Sequence, residues 1–151
     1  MPFRFPLEAV FHFRQGLEHQ QELRLRAANQ QVLQVRHLIE QLDRRIEEVR
    51  YTQLQQLKAG TTAELRFGML GQAAFAQQRG ELERELAHLQ HLRDEHQKLF
   101  EHQRRQRETL EGLRDGQLRL YERERARREQ RNLDDLYLLQ HLLQRSHSRR
   151  S

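Results

Sequence analysis

The sequence predicts an all-α protein: an antiparallel two-helix coiled-coil hairpin with a longer, overhanging C-terminal helix. Three observations carry that expectation. Proline occurs only at Pro2 and Pro6, so residues 7–151 contain no strong helix breaker. Apolar residues recur at spacings of three and four, the mark of a coiled-coil seam. One short stretch near residue 60 carries the stop and start signals of two successive helices.

Composition points the same way. The 151 residues are 36% hydrophobic and 7% aromatic, without Trp, against 32% charged. The mean hydropathy of -1.03 is too polar for a compact globule of this size. Arg occurs 25 times, Lys twice and Gln 21 times. Such a Glu/Arg/Gln/Leu-rich chain without cysteine matches long helices, and its Leu content and periodicity argue against disorder. With no cysteine there is no disulfide framework and no thiolate chemistry, which suits a reducing cytoplasm. No apolar run approaches the ~18 residues of a membrane span, and the first residues lack the apolar stretch of a signal peptide. A soluble protein, not secreted by the general route, is expected. The net charge of +5 is a small excess over 22 acidic residues, so a mixed-sign solvated surface is the first reading. The preference for Arg suits bidentate pairing with carboxylates.

Taken in order, the first helix is expected over about residues 7–58. Leu25, Ala28, Val32, Val35, Ile39, Leu42, Ile46 and Val49 form a heptad seam. Upstream, Val10, Phe13 and Leu17 make a similar stripe, and the eight residues from Leu17 to Leu25 read as a stutter. The turn follows at about residues 59–62, where "LKAGTTAEL" offers Gly60 as a left-handed C-terminal residue and Thr61 with Glu64 as a capping box. So short a connection forces the second helix back along the first. That helix is expected over about residues 63–143. It opens pliably, because Gly68, Gly71 and Gly80 each cost about 1 kcal/mol against Ala. From Leu82 the seam continues through Leu86, Leu89, Leu92, His96, Leu99, Gln103, Gln106, Leu110, Leu113, Gln117 and Leu120. Its polar members cost stability but specify register. A last apolar group follows, Leu133, Leu136, Tyr137, Leu139, Leu142 and Leu143, and residues 144–151 read as a frayed tail. The whole chain is expected to form one coiled-coil unit.

The helices are unequal. Counted back from the turn, Leu7 falls opposite roughly residue 115, so the second helix overhangs by roughly 40 Å at about 1.5 Å per residue. Leu118, Leu120, Tyr121, Leu133, Leu136 and Tyr137 lie on that overhang without a partner in the chain. An unpartnered apolar stripe calls for another molecule.

The two ends also resemble a known family. "FRFPLEAVFHFRQGLE" is similar to the start of the FliJ family of flagellar export components, a Phe-x-Phe-x-Leu pattern followed by Val, Arg and Glu, here Phe3, Phe5, Leu7, Val10, Arg14 and Glu18. Toward the far end, Leu113, Tyr121, Arg128, Glu129, Gln130, Leu133, Asp134 and Asp135 resemble the family's closing segment. Asp135 stands where Glu is usual and Phe11 where Leu is commoner. The middle resembles the family only as a coiled coil. The injectisome counterpart, the YscO type, is the nearest alternative, a stalk protein of the same architecture. The resemblance implies a stalk like the gamma subunit of rotary ATPases, its terminal end inserted into the hexameric export ATPase, FliI. It further implies contact with the export gate protein FlhA and with emptied export chaperones. It implies a cytoplasmic location on the inner face of the membrane at the flagellar base, touching the membrane only through the export apparatus. The ring-binding residues so implied are Phe3, Phe5, Leu7, Arg14, Tyr121, Arg127, Arg128, Gln130, Leu133, Asp134 and Asp135. Leu42, Val49 and Phe75, placed by their distance from the turn, are the implied gate contacts.

Each motif has a plainer reading beside the functional one. Phe3 and Phe5 could fold back on the second helix, and Arg14 could pair with one of its glutamates. Leu42, Val49 and Phe75 could be ordinary seam residues. The run from Arg119 to Arg131 holds six Arg and three Glu and could be a solvated face of i,i+4 pairs. Nucleic acid is a poor match for it, because stacking aromatics are scarce and acids are interspersed. His88, His91 and His96 lack the spacing and companion ligands of a metal site. Without a phosphate-binding loop, a nucleophile constellation or a concavity, neither catalysis nor a cofactor is expected. A coiled-coil adaptor that dimerises through its exposed seam is the alternative outside the export family.

Overall fold

A computed structural model describes residues 2–60 and 62–150, with side chains for all of these except 62–67. The described residues form two α-helices and no strand: α1 spans Glu8–Ala59 and α2 spans Thr62–Arg150. The helices pack against each other as the expected hairpin. Partner positions fall along α2 as they rise along α1, from Glu8 with Arg114 to Asp43 with Arg79 and Gln53 with Gln72. Gly60 closes α1 with a φ of +77°, and its N–H donates to the Gln56 carbonyl at 3.1 Å. This left-handed cap is the one expected, and glycine alone takes it without a Cβ penalty. The Thr61–Glu64 capping box lies outside the described residues.

By contact the chain divides into two compact units, one of Gly16–Arg104 and one of Met1–Gln15 with Arg105–Ser151. In the first, Ala28, Val32, Val35 and Leu42 are buried as predicted, with Val32 only 2% exposed. Half-buried Phe75, Leu82, Leu86, Leu89 and Phe100 provide the α2 side. Asp43 and Arg79 pair across the helices at 2.8 Å. Gly68 makes room for the Gln53 side chain, which a Cβ there would strike, and Gln53 accepts a hydrogen bond from Gln72 at 2.7 Å. The seam of this unit is partly polar: Gln21 Oε1, His96 Nδ1 and Gln103 Oε1 are buried without a hydrogen-bond partner.

Three expectations are corrected. The stutter does not exist. Phe11 is buried at 5% exposure, Arg14, Glu18, Gln21 and Leu25 are half-buried, and their spacing continues the heptad of Ala28 and Val32 without a break. Phe13, at 62% exposure, lies outside that line. On α2, Leu99, Leu113 and Leu120 are exposed at 47%, 50% and 60%. The flank of the seam is formed instead by Arg93, Phe100, Arg107, Arg114 and Tyr121, all half-buried. Arginine can serve there because its three methylenes cover apolar surface while the guanidinium reaches water. Finally, α2 continues through the expected tail to Arg150. Ser146 and Ser148 donate to the carbonyls of Leu143 and Arg145 at 2.8 and 3.0 Å. His147, Arg149 and Arg150 lie in the last turn, where positive charge complements the helix dipole.

Candidate functional site

The N-terminal segment and α2 meet within the unit of Met1–Gln15 and Arg105–Ser151. Pro6 holds the chain out of helix until Glu8, leaving residues 2–7 free to lie across α2. Phe5 is buried, and the Phe3 ring sits 5.6 Å from that of Tyr121 at an angle of 52°. Arg114 holds two partners: its Nε donates to Glu8 Oε2 at 3.1 Å, and its guanidinium lies 5.5 Å from the centroid of the Phe11 ring. Arg14 donates to the Gln106 side chain. The cross-helix glutamate considered for Arg14 is thus replaced by a neutral amide.

These contacts divide the eleven implied ring-binding residues. Phe3, Phe5, Arg14 and Tyr121 are engaged within the unit, and Leu7 sits at its edge, 40% exposed. The fold-back reading of the opening aromatics therefore describes their packing. Tyr121 and half-buried Leu118, expected to be bare, are covered. Arg127, Arg128, Gln130, Leu133, Asp134 and Asp135 are exposed, on the part of α2 beyond Tyr121.

That part begins at Glu122, and every residue from there to Arg150 is exposed. At 1.5 Å per residue it is ~43 Å long. Its first half is basic, with Arg125 paired to Glu129 at 3.2 Å and Gln130 donating to Asp134 at 3.1 Å. Its second half carries Leu133, Leu136, Tyr137, Leu138, Leu139, Leu142 and Leu143 at 56–70% exposure. Leu138 escaped the periodicity reading because it lies off the 3–4 stripe. With it included, apolar side chains point to nearly every side of the helix, the pattern of a segment meant to be covered. Hydropathy without periodicity was the signal that could have found it.

In the unit of Gly16–Arg104, Leu42 is buried at the base of a groove lined by Leu38, Gln41, Arg45, Gln78 and Leu82. Val49 and Phe75 are half-buried. Among the described residues no cluster of His, Asp and Glu could hold a metal ion, and no helix is long and apolar enough to cross a membrane.

A family model described as "Flagellar FliJ protein" matches residues 3–146. The chain belongs to the FliJ family. No curated protein and no solved structure matches it. The FliJ match takes in the Phe3–Phe5 segment, both helices, and the exposed stretch of α2 as far as Ser146. Membership makes this FliJ chain a flagellar export-related protein, associated with the flagellar export apparatus.

Proposed function

We propose that this FliJ chain is a non-catalytic stalk of the flagellar type III export apparatus, which docks its terminal end into the hexameric export ATPase. The observation that carries the reading is the uncovered stretch of α2 from Glu122 to Arg150, basic first and then apolar on nearly all sides. A helix of that kind suits a partner that surrounds it, with acidic groups at the level of Arg127 and Arg128 and apolar ones at the level of Leu133 to Leu143. Asp134 and Asp135 lie between those levels, and Gln130 supports Asp134. Phe3, Phe5, Leu7, Arg14 and Tyr121 then act chiefly by holding the base of the docking helix. An asymmetric helix inside a ring contacts the subunits unequally, and this biases them toward different nucleotide states. Contact with the gate protein through the Leu42 groove, Val49 and Phe75, and escort of emptied export chaperones, complete the proposed role. It places the protein in the cytoplasm, at the membrane only through the export apparatus. The chain needs no cofactor for any of this.

Titration of purified export ATPase with the full chain tests it. Stimulation of ATP hydrolysis is expected. Replacing Arg127 and Arg128 together by Glu should raise the half-maximal concentration about tenfold, because close charge pairs at interfaces carry 1.5 kcal/mol or more. The helical circular dichroism should be unchanged. An intact chain that neither binds nor stimulates the ATPase sinks the proposal.

A further inference from the structure

The uncovered end of α2 is written so that it complements itself. Glu129, Asn132, Leu136, Leu139, Leu143, Ser146 and Arg150 follow one another at alternating spacings of three and four, which puts them on a single face. Read in either direction that face has the same apolar pattern: charged, polar, Leu, Leu, Leu, polar, charged. Its two ends carry opposite charges. Laid antiparallel on a second copy, Glu129 faces Arg150, Asn132 faces Ser146, Leu136 faces Leu143, and Leu139 crosses its own counterpart. Among the described residues Arg150 has no side-chain partner, and Glu129 is held by the exposed i,i+4 contact from Arg125. The three leucines are 56–60% exposed.

We infer that the free protein pairs with a second copy of itself through this face, in a two-fold antiparallel dimer. Such an isologous contact closes on itself and forms no filament. It runs from 129 to 150, a contact line of ~33 Å. The polar residues at each end of the leucines set its register, as polar seam residues do elsewhere. Leu138 and Leu142 stay wet on the far side, so the pairing is weak and reversible. The face is a poor match for a lipid surface, because an interfacial helix keeps its apolar groups on one side and this segment does not. Dimerisation hides the surface assigned above to the ATPase and therefore competes with docking. It does not rest on that assignment.

Sedimentation equilibrium of the full chain, over concentrations on the order of 1 μM to 1 mM, tests the inference. A monomer–dimer equilibrium is expected, and Leu139→Asp, which sets two carboxylates against each other at the crossing, should leave only monomer. Glu129→Arg and Arg150→Glu should each weaken the dimer several-fold. The double variant, and an equimolar mixture of the two single variants, should recover it. A chain that stays monomeric throughout overturns the inference, even if it stimulates the export ATPase or pellets with anionic phosphatidylglycerol vesicles. A dimer indifferent to Leu139→Asp, or a double variant as weak as the single ones, overturns it equally.

Discussion

The contrast between Phe11 and Phe13 offers a sharp test of the register. Phe11 is 5% exposed on the seam, beneath the Arg114 guanidinium, whereas Phe13 two residues on is 62% exposed. Truncating a buried Phe to Ala costs about 3–5 kcal/mol. A two-helix seam covers a ring less completely than a layered core, so the lower end applies to Phe11. Losing the cation–π contact adds about 0.5–1 kcal/mol. The better helix propensity of Ala returns about 0.5 kcal/mol. The net is a loss of about 3 kcal/mol for Phe11→Ala. Phe13→Ala should stay within about 0.5 kcal/mol, as for other surface changes. Hydrogen exchange reads the difference locally, which matters because two units need not unfold together. Amides of residues 8–15 and 105–121 should exchange about a hundredfold faster in Phe11→Ala, and no more than about twofold faster in Phe13→Ala. If Phe13→Ala deprotects these amides as much as Phe11→Ala, the unbroken heptad is wrong and the stutter returns.

Other consequences follow from particular contacts. Gln21→Leu combined with Gln103→Leu removes two buried, unpaired acceptors and should raise stability by about 2 kcal/mol, or the melting temperature by about 4–8 °C; a fall in melting temperature refutes the reading of those two positions. Gly60→Ala forces a Cβ onto a φ of +77° and should cost about 1–2 kcal/mol in urea unfolding, whereas a gain in stability would deny the left-handed cap. Arg114→Leu keeps an apolar stem but loses both Glu8 and the Phe11 ring, so it should cost about 1 kcal/mol, and in a double-mutant cycle with Glu8→Gln the two effects should fall short of additive.

The arrangement of the candidate surface follows from the unequal helices and the opening segment together. The end motif contains two kinds of residue that a linear reading cannot separate. Phe3, Phe5 and Tyr121 pack within the chain, while Arg127, Arg128 and Leu133 project from it. Both kinds are aromatic, apolar or basic, and both lie near the same terminal segments. Only the reach of residues 2–7 across α2 tells them apart, and that reach depends on Pro6 delaying α1 until Glu8.

By itself the sequence determined the hairpin and its asymmetry. Two prolines at the start, Gly60 at the turn and 89 residues of proline-free helix after it leave little choice. Where apolar β-branched residues are dense, as at Val32 and Val35, it also determined the buried face. Tertiary structure alone decided that face where the seam turns polar, choosing Phe11 over Phe13 and Arg107 and Arg114 over Leu113. The physical reason is that a helix is stiff and its heptad phase carries forward from the well-packed stretch. Positions further along inherit that phase whatever their hydropathy. An arginine with a long aliphatic stem then fills a seam flank, while a leucine out of phase stays in water.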